Sequence, residues 1–490
     1  MRTPSFSRRT FIAGGSVATA VAALELTSSL ATTPARANAD TLTPSDIQFD
    51  IGNFIAAAQT YEGITYQMPP VHTVFLTAQL KRTPTKADRT ELKRALTKLE
   101  NAYPWGAEGL VTYAAYGVPY FNRLDPDLVA SHMPHLLSDP TRYALEEAVP
   151  SPKDIVGGNG ITKLRYPVPV VIEDNDLLLT LRSDNANFLQ DALKWLHGSD
   201  YLRGKQTTSP KFHRMMTFTS NRTMFVQQGL TRSMAEQHDL PYQQYIQPDS
   251  PMWMGFLDQQ TNGAGPPPVV TFQGNATAKL TDAAAGDYFD NGSIQHLSHN
   301  ILDMLQWFAM STPDASPGPD STFDERVQYM FHSPPIAKGY RDQFLNGGGP
   351  SMLQNEFRGP QYAVVTAQGI GVSERRCGHL SSLQRSSRAA DGTPMHIRMD
   401  GPGYDAMDVP DGTKQPKLQF SIFVPTSEFF RQMRVNQAAV DLEQQFAMRE
   451  EDNGLERFIT ATRRQNFLVP PRRNRVFPLM EITDGDIDPS

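Results

Sequence analysis

The chain has 490 residues, enough for one large or two medium domains with hydrophobic cores of their own. A hydrophobic fraction of 39% and a charged fraction of 20% are typical of a globular protein, and a net charge of -7 gives no sign of nucleic-acid binding. Cys377 is the only cysteine, so an internal disulfide is excluded and stability has to come from the core.

The N-terminal residues have the features of an export leader. Arg8 and Arg9 precede a weakly apolar run over residues 11–31, and alanines at 35, 37 and 39 offer cleavage sites. This pattern predicts a twin-arginine signal peptide over residues 1–39 that lies outside the fold, and export of a folded chain by the twin-arginine translocase. The mature chain would begin near Asp40 and be periplasmic, cell-wall-bound or extracellular. Glu25 interrupts the run, and no other stretch has about 20 apolar residues, so we expect no stable membrane span.

The next part of the chain predicts strands and helices in alternation. Residues 71–80 predict a strand, Thr83 and Pro84 predict the start of a helix with an apolar face over 92–99, and residues 109–115 predict a strand again. A second unit follows in the same pattern. It has a buried strand over 177–181, an N-cap at Ser183 or Asp184, and a helix with an apolar face over 188–196.

The C-terminal half predicts a similar arrangement. Residues 362–368 and 418–424 predict strands, and Thr426 predicts the cap of a further helix, while residues 262–268 and 311–321 predict loops. Such α+β units, with sheets covered by helices, predict a pair of ferredoxin-like halves. We place the N-terminal half at residues 40–250, a connecting segment at 251–360 and the C-terminal half at 361–490.

The eleven histidines are the candidate ligands for a cofactor or metal. His296 and His299 are three residues apart, but no third acidic or cysteine ligand stands in the same motif, so we do not expect a zinc site there. His379 and His396 differ from the others because arginines and an aspartate follow them closely. These two are the candidates for an axial ligand of haem iron.

Three segments of the second half resemble the motifs of dye-decolourising (DyP-type) peroxidases. Gly255 and Asp258 are similar to the Gly-x-x-Asp segment of that family, His379 to its haem-ligating histidine, and Arg398 to the arginine that follows. The resemblance extends from about residue 71 to the end, and residues 453–473 resemble a divergent, uncharacterised exported branch. It implies an α+β fold whose two ferredoxin-like halves form a domain of the dimeric α/β-barrel type.

The same resemblance implies a function and a site. The function is that of a peroxidase which reduces hydrogen peroxide and oxidises a small-molecule reductant, with one haem b per chain. His379 would bind the iron, and Asp258 and Arg398 would act on the opposite face, with Asp400 as a polar partner near the arginine. Sheets of this fold often associate, which implies a homo-oligomer.

Two departures from the family pattern leave other functions open. Gln259 stands after Asp258 where the family has glycine, and the Asn-Pro-Arg that follows the family's histidine is absent. The alternatives are an exported haem or porphyrin binder and a cofactor-free structural or partner-binding protein on the same fold. His396 is the alternative axial ligand, but a spacing of two on one strand would put it on the same face as Arg398, which favours His379.

The remaining features are expected to be structural. The four tryptophans, at 105, 195, 253 and 307, are candidates for carrying electrons to bulky donors, but large aromatics more often pack in cores. Arg463 and Arg464 are expected to be solvated or paired at a sheet edge. Cys377 lacks the surroundings of a reactive cysteine.

Overall fold

The structure, a computed structural model of the full chain, describes residues 17–34, 36, 44–50, 59–61, 64–66, 68–255, 265–275, 279–308, 370–371, 376–377, 389, 393–438, 440–446 and 455–483. Within those ranges, every helix is too short or too polar to cross a bilayer.

Within the described ranges, the strands form one ten-stranded sheet and three two-stranded ribbons. In chain order they are β1 (Gln59–Tyr61), β2 (Ile64–Tyr66), β3 (His72–Leu80), β4 (Val111–Gly117), β5 (Val171–Ile172), β6 (Leu177–Ser183), β7 (Tyr201–Leu202), β8 (Lys205–Gln206), β9 (Met216–Phe225), β10 (Ser293–Leu302), β11 (Ile370–Gly371), β12 (Arg376–Cys377), β13 (Ile397–Arg398), β14 (Gly401–Asp405), β15 (Gln415–Val424) and β16 (Ile459–Val469).

The α-helices cover the outer face of the sheet and its ends. They are α1 (Val17–Leu30), α2 (Lys86–Ala102), α3 (Val118–Phe121), α4 (Pro126–His132), α5 (Ala186–Leu196), α6 (Leu230–Gln237), α7 (Pro267–Val270), α8 (Met304–Trp307), α9 (Ser427–Ala438), α10 (Val440–Phe446) and α11 (Met480–Thr483).

The N-terminal half has the ferredoxin-like topology. Its elements follow one another as β3, α2, β4, β6, α5 and β9, and its strands lie in the order β4-β6-β3-β9. All three neighbouring pairs are antiparallel. The first strand of the unit therefore lies between the third and the fourth, as a split βαβ unit requires.

The C-terminal half repeats this topology. Its described strands lie in the order β13-β15-β10-β16, with β14 also paired to β15, and each of these pairs is antiparallel. Helix α9 connects β15 towards β16 in the position that α5 has in the first half. The prediction of an α+β fold with two ferredoxin-like halves is therefore confirmed.

The two halves meet along two lines, which gives the sheet the form of a barrel. In the middle of the strand order β16 pairs with β4, where Leu468 lies opposite Tyr116. The two ends of the sheet also approach each other: β14 lies against β9, and a Cβ added at Gly403 would be 3.0 Å from the carbonyl oxygen of Thr223. Glycine thus permits the close approach of the two backbones. The interior holds an apolar cluster that includes Phe75 and Phe423.

Local signals explain the predicted helices and correct their first residues. Helix α2 begins after Thr85, not at Thr83 and Pro84, because Thr85 and Asp88 form a capping box. Helix α5 begins after Asn185, whose side chain accepts a hydrogen bond from the backbone of Asn187. The Thr426 side chain accepts a hydrogen bond from Phe429 N at 3.0 Å, which confirms the predicted cap of α9.

Other predictions were incomplete or fall outside the described residues. Strands β9, β10 and β16 were not predicted, and part of the expected loop over 262–268 is the start of α7. The expected strand over 362–368 and the expected loop over 311–321 lie outside the described residues.

Helix α1 lies inside the predicted leader and packs against the folded body. Ala20 and Leu24 are buried in the same core cluster as Leu193 of α5. The leader was expected to lie outside the fold, whereas in the full chain this part of it is packed. Cleavage and export remain predictions.

Candidate functional site

The Gly-x-x-Asp segment begins at a tight turn that needs glycine. Gly255 has a φ of 91°, a left-handed value that side chains disfavour, and its N–H donates to the carbonyl of Met252 at 3.1 Å. Just before it, the buried indole of Trp253 donates to the carbonyl of Gly403 in β14 at 3.0 Å. The start of the segment is thereby fixed to the strand that follows Arg398. Asp258 itself lies outside the described residues.

The chain returns to the same strand region at Gly265. The Gly265 N–H donates to the carbonyl of His396 at 2.8 Å, and a Cβ added at Gly265 would lie 2.4 Å from the carbonyl oxygen of Pro394. His396 is 1% exposed. The chain on the two sides of segment 256–264, at Trp253 and at Gly265, therefore contacts positions on either side of Arg398.

Arg398 lies on the helix-facing side of the sheet. It pairs with Ile422 of β15, which in turn pairs with His296 of β10, so the three residues form one row across three strands. Ile422 packs in the cluster that contains Phe429 of α9, whereas Ile397 packs in the barrel interior. Since directly opposed residues share a face, Arg398 faces the helices, about 10 Å from His296 at two strand spacings.

Arg398 and Asp400 lie two residues apart near the edge of the sheet and are each half-buried. Burial lowers the pKa of the Arg398 guanidinium, and the negative charge of Asp400 opposes that shift. Burial raises the pKa of the Asp400 carboxyl, and the charge of Arg398 opposes it in turn. Each charged form therefore favours the other. The role of Asp400 as a polar partner of the arginine stays a prediction.

His296 is fixed on the same face and is neutral. Its Nδ1 lies 2.7 Å from Asn466 Oδ1, its Nε2 lies 2.6 Å from Ser298 Oγ, and its ring stacks on Phe430 with centroids 3.9 Å apart. Burial, followed by the charge of Arg464, holds the pKa of His296 well below its ordinary value. Both ring nitrogens have hydrogen-bond partners, so the orientation of this ring is fixed.

His299 lies on the opposite face of the same strand. Its Nδ1 is 3.0 Å from Gln419 Oε1, and it is completely buried in the barrel interior. Side chains three apart on a strand point in opposite directions, so His296 and His299 do not meet at one ion. Among the described residues, no group of three or more His, Cys, Asp or Glu side chains is placed to hold a metal ion.

The arginine pair of β16 was predicted to be solvated or paired at a sheet edge, and it is paired but buried on a central strand. On the helix-facing side, Arg464 donates to Asp154 at 2.6 and 2.8 Å and to Ser298 Oγ at 3.1 Å. In the interior, Arg463 donates to Asp408 at 2.7 and 2.8 Å. A central strand tolerates these charges because each has a carboxylate partner.

The remaining candidate residues are His379 and the tryptophans. His379 lies outside the described residues, two positions after the end of β12, where Cys377 pairs with Ile370. Trp195, Trp253 and Trp307 are each at most 3% exposed, as expected of packing residues. The network of His296, Arg464 and Asp154 was not predicted from the sequence. A strand packed on both faces is predicted from an apolar run, and polar residues interrupt that run here.

The chain matches one described protein family. The match covers residues 70–156 and 144–471, and the description is that of a family of unknown function (DUF7405). No curated protein matches the sequence.

Dye-decolourising peroxidases are among the solved structures that match. The encapsulated DyP-type peroxidase from Mycobacterium smegmatis is 15% identical, with 83% of this chain and 95% of that chain covered and a TM-score of 0.42. A DypB variant from Rhodococcus jostii RHA1 in complex with heme is 13% identical, with 83% and 96% covered and a TM-score of 0.43. The enzyme from Bacteroides thetaiotaomicron is 14% identical, with 82% and 94% covered and a TM-score of 0.38. Because the family match spans well over half of its residues, the chain belongs to the family of unknown function DUF7405.

Proposed function

We propose that this protein is an exported haem-dependent peroxidase, which reduces hydrogen peroxide and oxidises an organic donor. The observation that supports this most directly is the pair of anchors around segment 256–264. Trp253 is bonded to Gly403 and Gly265 to His396, so both ends of the segment contact the stretch that contains Arg398.

Chain length supports a position of Asp258 near this stretch. Asp258 is only three residues from Gly255, and an extended chain covers at most about 3.5 Å per residue, or about 10 Å over three residues. An aspartate and an arginine in one site would supply the proton transfer and the charge stabilisation that peroxide cleavage uses. The aspartate carries a proton between oxygens, and the arginine stabilises charge.

The donor set fits a haem group in its chemistry. His379 would bind the iron through its imidazole, the commonest protein ligand for haem. The haem, when bound, supplies the iron at which the peroxide bond is cleaved and the oxidising equivalents are held. Asp258 would take the proton from the inner peroxide oxygen and deliver it to the outer one.

Arg398 and Asp400 would act together. Although burial lowers its pKa, an arginine remains charged at any physiological pH, so Arg398 can stabilise the negative charge that develops on the leaving oxygen. Asp400 is a positioning residue, whose carboxylate holds the guanidinium in its charged, poorly solvated place. The stacked rings of His296 and Phe430 would form part of the fixed surface on the same side of the sheet as Arg398.

Export is part of the proposal and has its own support. Arg8 and Arg9 before an apolar run are the signal of a route that carries folded proteins, and a protein that binds its cofactor before export has reason to use that route.

Peroxide-dependent dye oxidation by the haem-loaded protein tests the assignment of roles. We expect Asp258→Ala and Arg398→Leu each to lower kcat at least about 100-fold, the usual contribution of a proton-transferring or charge-stabilising group. Arg431→Leu is the matched control, because Arg431 is an exposed arginine paired with Glu428 on α9. If both site variants keep the wild-type rate while the haem spectrum is intact, the roles are wrong. If wild-type protein holds haem without turnover, the protein is a haem binder.

A further inference from the structure

Helix α1 lies in a groove of the folded body with one face buried. Ala20, Leu24 and Thr27, spaced as one helix face, are buried, whereas Glu25 on the other side is exposed. Leu189 and Leu193 of α5 belong to the core cluster that contains Ala20 and Leu24. The charged residue that interrupts the apolar run is thus compatible with packing, because it points to solvent.

Polar contacts fix the register of this segment. Thr27 Oγ1 lies 3.2 Å from Nδ1 of His72, a buried histidine of β3. After the helix, the backbone N–H of Thr32 donates to Gln227 Oε1 at 2.8 Å, and Gln227 Nε2 donates to the carbonyl of Thr32 at 2.6 Å. Non-specific apolar contact would not supply this paired recognition of the backbone.

Arg36 closes the contact with a buried ion pair. Its Nε donates to Asp184 Oδ2 at 2.6 Å, its Nη2 donates to Asp184 Oδ1, and the two side chains are 4% and 5% exposed. Arg36 also donates to the carbonyls of Met68 and Pro69 at 2.9 and 3.1 Å. Asp184 accepts a further hydrogen bond from Val71 N at 3.0 Å, so its carboxylate is fixed by the body. The folded part of the chain therefore provides a specific binding site for the Arg36 side chain.

We propose that residues 17–36 are a self-docking leader, held in the folded precursor by the groove at α5, α6 and β9, and that docking competes with insertion of α1 into a membrane. The apolar face of α1 cannot contact the body and lipid at the same time. Since Arg36 precedes the expected cleavage site, cleavage would leave the docked peptide held by these contacts alone. Only the choice of a membrane as the competitor rests on the proposed export, because docking itself is a property of the purified chain.

Hydrogen exchange and vesicle flotation on the full chain test the two parts of this inference. Amides of α1 should be protected in the wild type, and protection should be lost in Asp184→Asn, which leaves the leader sequence unchanged. With vesicles of phosphatidylglycerol and phosphatidylethanolamine, Asp184→Asn should bind at least about tenfold more than wild type, because removing one partner of a buried ion pair releases the other. A chain lacking residues 1–39 should not bind.

Arg431→Gln is the matched control, since it removes an ion pair of an exposed arginine with Glu428 on α9, outside the groove, and should change neither measurement. Circular dichroism checks that each variant is folded. Wild-type α1 amides that exchange as fast as those of a free peptide would overturn docking. Equal vesicle binding by wild type and a folded Asp184→Asn chain would overturn the competition. Neither result depends on haem or on the export route.

Discussion

The two ferredoxin-like halves share one strand order but differ in the chemistry of the face that meets the helices. In the N-terminal half that face is mainly apolar, with Leu179 and Leu181 packed against the helices. In the C-terminal half the corresponding face carries His296 and Arg464, both nearly inaccessible to solvent. The same topology therefore supports a hydrophobic scaffold on one side and a polar, precisely bonded surface beside Arg398 on the other.

The difference between the two helix-facing sides indicates where a functional site can be placed on this fold. An apolar face stabilises through area and tolerates small shifts, whereas buried charges stabilise only when each finds its partner in the right geometry. A surface of fixed polar groups in low dielectric is the kind of place where a half-buried arginine such as Arg398 could act on a ligand.

The largest expected effect comes from breaking the polar face. Asp154→Ala leaves the Arg464 guanidinium buried without its carboxylate, so the free energy of unfolding should fall by about 3–5 kcal/mol. Chemical denaturation measures it. Glu236→Ala, which breaks an exposed ion pair on α6, is the control and should cost less than about 1 kcal/mol. A loss at Asp154 as small as that of the control would remove the distinction between the two faces.

The buried histidines of the C-terminal half should make stability depend on pH. Burial, against the opposing charge of Asp405, lowers the pKa of His299 from 6.5 to about 4. Below pH 6.5 the unfolded chain takes up a proton that the folded chain refuses, so stability is complete above that pH and falls as pH decreases towards 4. The loss attributable to His299 is about 3 kcal/mol.

His299→Gln should make this dependence less steep, measured by denaturation between pH 7 and pH 4, while His72 and His296, whose pKa values burial also lowers, keep their share. Leu179→Ala is the counterpart in the N-terminal half. It should lower stability by about 2–5 kcal/mol at every pH and leave the slope unchanged. A slope that is the same in wild type and His299→Gln would show that this histidine does not carry the pH dependence.

A smaller effect is expected where the halves are connected. Gly255→Ala places a side chain at a φ of 91° and should cost about 1–2 kcal/mol, and it should also weaken peroxidase turnover by displacing Asp258. Gly157→Ala is the control, because no atom lies within 4 Å of the added Cβ, and it should change stability by less than about 0.5 kcal/mol. Equal turnover in both variants would argue against a role for the anchored turn.

The halves also differ in how well the sequence predicts them. Strands β3 and β6 and helix α5 were predicted because their apolar residues repeat at strand or helix spacing. Strand β10 was not, although all ten of its residues are buried, because Gln295, His296, Ser298 and His299 hide its strand character. Their partners, such as Asn466, come from residues distant in sequence, which no local pattern reveals.

The candidate site residues were identified from the sequence, and the structure shows part of their arrangement. Arg398 was identified through the resemblance to dye-decolourising peroxidases, and Asp400 was predicted as its polar partner from a spacing of two residues. The anchors at Trp253 and Gly265 depend on contacts with Gly403 and His396, and so they require the fold. The roles of Asp258 and His379 remain predictions.

Titration of the purified protein with haem, followed by absorption spectroscopy, tests the central claim most directly. The account predicts a Soret band that saturates at one haem per chain, is lost in His379→Ala, and is retained in His396→Ala and in His213→Ala, an exposed control. A wild-type chain without a Soret band, or a band unchanged by His379→Ala, would contradict it.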